Sequence, residues 1–250
     1  MVQDPPPADW SLPWYAPFRE PGEQVERHWH DGPLHSALNA IPGAPVRFVP
    51  QHELPDGVPY ETFIHDRGCC PVRENLHDFF NGLVWLAFPE SKRALNRLQA
   101  GEIARRGAGA TRGPVRDAIT VFDENGALLH APPALWEALL ARNWRKAFIE
   151  LRPLWQQARL HLFGHALLEK LAAPRKDMTA HVWCAPTGPL ANAPSNPGEL
   201  DAWLCTQITV ERLAAKPFTP LPVLGVPGWW RGNEVDSFYD DPQVFRPRRP

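Results

Sequence analysis

The sequence predicts an α+β fold: a single compact domain of helices packed on a small mixed or antiparallel sheet, with Pro/aromatic-rich straps at both ends. Three observations lead there. Of the 30 prolines, 12 lie in residues 1–59, 7 in 60–185 and 11 in 186–250. Proline removes a backbone donor and fixes φ, so the middle zone must hold the regular structure. The flanks carry Trp10, Trp14, Tyr15, Phe18, Trp229, Trp230, Phe238, Tyr239 and Phe245, more aromatic surface than a disordered tail, and are expected to wrap the core. The middle zone alternates apolar stretches of helical period with short β-branched runs. At 250 residues the chain can bury roughly 70–75% of its unfolded surface in one core. The expected division is a frayed tail over 1–12, a strap over 13–59, the core over 60–185 and a second strap over 186–250.

Leu76, Phe79, Phe80, Leu83, Val84 and Ala87 recur at the period of a broadly buried helix, which Pro89 ends. A second helix is expected from Glu90-Ser91 through Leu95, Leu98 and Ile103, broken by Gly107 and Gly109. Val115–Phe122 is β-branched, and with the Asp123-Glu124-Asn125-Gly126 turn and Ala127-Leu128-Leu129 it reads as a hairpin. Residues 134–149 return to a helical pattern behind Pro132 and Pro133. Arg159–Phe163 reads as a short strand delivered through Gly164 into a helix from His165 to Leu171.

Charge and composition exclude several classes. The net charge of −2 provides no global basic field for tight nucleic-acid binding. Cys69, Cys70, Cys184 and Cys205 include no C-x-x-C spacing and read as reduced thiols. The N-terminus has neither a basic start nor an apolar h-region, and no apolar run approaches membrane-spanning length, so the expectation is a soluble cytoplasmic protein that does not engage membranes. A P-loop, a Rossmann glycine fingerprint, a G-x-S-x-G elbow and an H-E-x-x-H helix are all absent from the sequence.

Four blocks in one order, Arg73–Pro89, residues 116–124, 163–170 and 221–230, resemble a bacterial family catalogued as domain of unknown function 3025, over roughly residues 45 to 245. The resemblance implies a bacterial cytosolic protein and no particular activity. The chemistry has to come from the residues themselves.

On the first helix His77 and Asn81 share a face at i, i+4, and Asp78 lies about 100° around from His77. A neutral imidazole beside a carboxylate suits a metal ligand or a general base, while Asn75 and Asp78 also suit helix capping. His165 and Glu169, again i, i+4, can present two ligands to one cation, with Lys170 beside them for an anionic group. Asp117 and Asp123 would share one face of a strand and suit a hard cation. The functional expectation is therefore a metal-dependent hydrolase acting on a small molecule, plausibly a phosphoester. His77, Asp78, His165, Glu169 and Asp117 are its candidate ligands for a divalent metal, and His77, Asp78, Asn81, Arg73 and Lys170 its candidate catalytic groups. The alternative is a non-catalytic binding or scaffold protein in which the same polar residues form a buried hydrogen-bond network.

Overall fold

The computed structural model describes residues 8–107, 113–185 and 197–248. The fold is α+β. Fraying expected of residues 1–12 falls largely outside the described residues, as does the helix break at Gly109. The chain divides into two compact units, the first holding Tyr15–Val121 and Asn196–Lys216, the second Phe122–Ser195 and Pro217–Pro250.

The first unit runs α1 (Arg19–Asp31), α2 (Leu34–Asn39), β1 (Arg47–Pro50), α3 (Tyr60–Arg67), β2 (Cys69–Val72), α4 (Leu76–Ala87) and α5 (Pro89–Arg106). It closes with α9 (Pro197–Gln207) and α10 (Val210–Ala214). β1 and β2 pair in parallel, Arg47 opposite Cys69, so the chain must cross over between them, and α3 makes that crossing. The N-terminal strap is more regular than its prolines suggest. Pro21 falls in the first turn of α1, where its missing N–H has no intrahelical partner to lose. Gly22, Val25 and Trp29 then turn one buried stripe inward.

α4 is the centre of this unit. Phe79 stacks on Trp29 with centroids 5.3 Å apart, and Phe80 stacks on Tyr15 at 5.5 Å. Each such buried aromatic stabilises by roughly 1.5–3 kcal/mol through area alone. Phe88 ends α4, and Pro89 opens α5 at its N1 position. The orphan N–H groups of Glu90 and Ser91 both donate to the Asp201 carboxylate of α9 at 2.8 Å, so a side chain distant in sequence caps the helix.

The chain enters the second unit through α6 (Pro114–Asn125). The expected strand over 115–122 is therefore a helix. Val115, Ala118, Ile119 and Phe122 are its buried apolar positions, at i, i+3, i+4 and i+7, and that spacing outweighs the β-branched composition. After α6 come β3 (Gly126–His130), α7 (Pro133–Leu140), β4 (Arg159–Leu162), α8 (His165–Lys170), β5 (Thr179–Cys184) and β6 (Phe218–Pro222). The sheet order is β4-β3-β5-β6, with β3 antiparallel to β4 and parallel to β5. All five residues of β3 are buried, as a strand covered on both faces requires. The helix expected over 134–149 is interrupted: α7 stops at Leu140, Arg142 takes a positive φ of 52°, and a π-helical turn follows at Lys146–Glu150.

The C-terminal strap plugs this second unit. Tyr239 stacks on Phe148 at 5.2 Å and donates its hydroxyl to Gly225 O at 2.9 Å. Phe245 meets the same Phe148 edge-on at 5.9 Å.

Candidate functional site

In the first unit the polar residues of α4 form two structural assemblies. Asn75 is the N-cap, its side chain accepting from Asp78 N at 2.8 Å. The Asp78 carboxylate, 5% exposed, accepts from Arg73 N at 2.6 Å, Nε at 3.0 Å and Nη2 at 2.9 Å. Arg73 and Asp78 thus lock the turn that enters α4. Both were candidate catalytic groups. To serve as a ligand, Asp78 would have to release donors that hold this turn in place.

Asn81 lies at the heart of the second assembly. It accepts from Lys92 Nζ at 2.9 Å and donates to Tyr60 Oη at 3.2 Å, while that hydroxyl lies 3.2 Å from Cys70 Sγ. Lys92 is 5% exposed, with its ammonium 5.3 Å from the Trp85 ring centroid. A buried ammonium needs such partners, because desolvation disfavours its charge. The sequence marked Asn81 but singled out neither Lys92 nor Tyr60, because the buried positions of α5 mix polar with apolar residues and so leave no clean stripe against which a lysine stands out. His77, in the first turn of α4, is half-buried.

In the second unit a backbone contact builds the site. Phe163 N and Gly164 N both donate to Gly126 O, at 2.9 and 2.8 Å. This brings the β4–α8 turn against the α6–β3 junction so closely that a Cβ on Gly164 would lie 2.5 Å from the Asn125 backbone. Glycine alone fits. His165 follows immediately, 4% exposed, with Nδ1 3.7 Å from Asp123 Oδ2 and Nε2 3.8 Å from Glu124 Oε1. One ring nitrogen therefore faces each of two adjacent carboxylates. The last turn of α6 adds the partial negative charge of a helix C-terminus, so the whole surround favours a cation. Glu124 and His165 offer ligand atoms within 4.8 Å of each other, a spacing that one cation could bridge.

The remaining candidates fall nearby or elsewhere. Lys170 reaches Asn125 Oδ1 at 3.4 Å, from the exposed end of α8. Glu169 is half-buried one turn beyond His165. Asp117 forms an exposed ion pair with Lys216 in the first unit. Because residues 117 and 123 are in a helix and not a strand, they point about 120° apart and share no face. Glu124 was missed for the same reason: read as a turn residue, it had no neighbour, whereas in the last turn of a helix it lies beside Asp123 with its Oε1 3.8 Å from His165 Nε2.

Two of the thiols are held in their protonated form. All four are free, and burial pushes Cys184 up to about 11 and Cys205 above the ordinary thiol range, which suppresses the reactive thiolate. No helix among the described residues is long and apolar enough to cross a membrane.

No curated protein and no solved structure matches this chain. The family described as "Protein of unknown function (DUF3025)" matches residues 46–249, and the chain therefore belongs to that family.

Proposed function

We propose that the protein is a metal-dependent hydrolase acting on phosphoesters, with Glu124 and His165 of the second unit holding a divalent cation. Imidazole nitrogen and carboxylate oxygen are both ordinary ligands of such a cation. The observation that carries the reading is the buried imidazole between two carboxylates, Asp123 on one nitrogen and Glu124 on the other. Asp123 would orient the ring from Nδ1 and raise its basicity, as an outer carboxylate does for a ligating histidine, leaving Nε2 for the cation. When bound, the cation lowers the pKa of a coordinated water toward neutrality and polarises a phosphoryl oxygen. Lys170 steadies the anionic substrate from the exposed end of α8.

Elemental analysis of the purified protein tests this. Close to one equivalent of divalent metal is expected, reduced at least tenfold in His165→Ala and Glu124→Ala, with metal-dependent hydrolysis of bis(p-nitrophenyl) phosphate lost in the same variants. Absence of metal, with melting unchanged by EDTA, would remove the metal reading.

A second reading, a binding or scaffold protein organised by a buried polar network, is favoured by the Lys92-Asn81-Tyr60-Cys70 chain of contacts. Asn81→Ala would leave the 5%-exposed Lys92 without its amide acceptor. The expected cost is about 2–3 kcal/mol in urea unfolding, since a hydrogen bond to a charged, desolvated group is removed. If Asn81→Ala shows this cost and the protein binds no metal, the network alone accounts for the polar residues of α4.

A further inference from the structure

We infer that the second unit carries a binding site for a small aromatic carboxylate, separate from the His165 cluster. The site is a cavity of about 520 Å³ lined by Ile149, Arg152, Pro153, Trp155, Gln156 and Pro227, a size suited to a compact organic molecule. Its lining is mainly apolar, and its one charged member is a guanidinium.

That guanidinium is held in place before any ligand arrives. Arg152 Nη1 donates to Asn233 O at 3.1 Å and Tyr239 Oη at 3.2 Å, and Nη2 to Asn233 Oδ1 at 3.4 Å and Glu234 Oε1 at 3.1 Å. Asn233 is fully buried and fixed in turn by its bonds to Leu224 O and Val226 O at 2.8 Å. Both terminal nitrogens are therefore committed, and Nε–H is the donor left for a ligand. The acidic partner, Glu234, is 61% exposed in its side chain, so a ligand carboxylate can displace it at little cost.

The aromatic wall is equally fixed. Trp155 donates Nε1 to Ala147 O at 2.9 Å and stacks on Phe148 at 5.5 Å with the planes 8° apart. Pro153 and Pro227 add saturated apolar rings to the same lining. A planar apolar body between these walls, with its carboxylate toward Arg152, satisfies the charge and the shape together. Preformed walls and a pre-set guanidinium reduce the ordering cost of binding. An independent feature marks the same place: Ile149 projects from the π-helical turn Lys146–Glu150, a conformation that recurs at functional sites.

Isothermal titration of the full chain with indole-3-acetate tests the inference, with indole-3-acetamide as the uncharged control. Saturable one-to-one binding on the order of 0.1 mM is expected for the acid, and at least tenfold weaker binding for the amide. Ile149→Trp, which fills the cavity from a half-buried position, should weaken the acid at least tenfold. Glu234→Gln, which removes the competing carboxylate at an exposed position, should tighten it two- to fivefold. Removing Arg152 itself endangers folding, so these two variants decide. Equal binding of acid and amide, no saturable binding at 5 mM, or affinities unchanged in both variants would each overturn the proposal.

Discussion

Asp78 and Asp201 illustrate how this chain uses buried acids. Each accepts backbone N–H groups at the entrance to a helix, α4 for the first and α5 for the second. An ionised carboxylate accepting several such donors is satisfied without a metal. His161 is the opposite case. Both of its ring nitrogens are shielded from water, with no protein partner, and burial aided by the Arg159 charge holds its pKa down to about 4 from 6.5. The folded state therefore keeps the ring neutral, while the unfolded chain takes up a proton as pH falls below 6.5. Between those two values the unfolded state binds more protons, so stability is full above 6.5 and declines toward 4, levelling off below. The contribution is on the order of 3 kcal/mol, from about 1.4 kcal/mol per pKa unit. Urea unfolding at pH 7.5 and pH 4.5 should show His161→Leu losing less stability than the wild type by roughly that amount. Equal losses would mean that another group carries the acid sensitivity.

Among the elements, the β4–α8 turn is the one whose geometry a single atom can test. A Cβ on Gly164 would approach Asn125 Cα, Asn125 N and Gly126 N at 2.5 Å, and all three are backbone atoms that move only if the α6–β3 junction moves. Gly164→Ala is expected to cost on the order of 3 kcal/mol and to lower metal content along with it. Gly101→Ala is the control. Nothing lies within 4 Å of its Cβ in the α5 interior, so stability should hold or rise by up to about 1 kcal/mol. This turn was legible in the sequence, because a glycine between an apolar strand and a helix has few other uses. α6 was not. Val115, Ile119, Thr120 and Val121 suggested a strand by composition, and the Asp-x-Asn-Gly ending imitates a hairpin turn. Periodicity held the correct answer, and misreading it hid Glu124 from the candidate ligands. α1 was obscured in the same way by proline content, since the count ignores that Pro21 occupies a permissive first turn. At α4 period and capping agreed, and there the expected N-cap Asn75 and the buried stripe both appear.

At the scale of the whole molecule, neither unit is a continuous stretch of chain. The first takes Tyr15–Val121 and then Asn196–Lys216, and the second takes Phe122–Ser195 and then Pro217–Pro250. In chain order β6 follows α9, and the aromatic plug of the second unit lies last of all. Contacts this distant in sequence carry a loop-closure cost that must be met before they stabilise anything. Phe148 makes the dependence measurable, since Trp155, Tyr239 and Phe245 all pack on it, two of them from the C-terminal strap. Phe245 is 5% exposed and also packs against Trp144 at 6.3 Å, so truncating it empties one side of this cluster. Phe245→Ala should cost about 3–5 kcal/mol, the range for a buried phenylalanine. The loop-closure cost of these distant contacts favours docking of the strap after the rate-limiting step, so the loss is expected mainly as faster unfolding, with refolding nearly unchanged. Stopped-flow urea jumps report both arms, and a slowed refolding arm would instead place the strap in the folding nucleus.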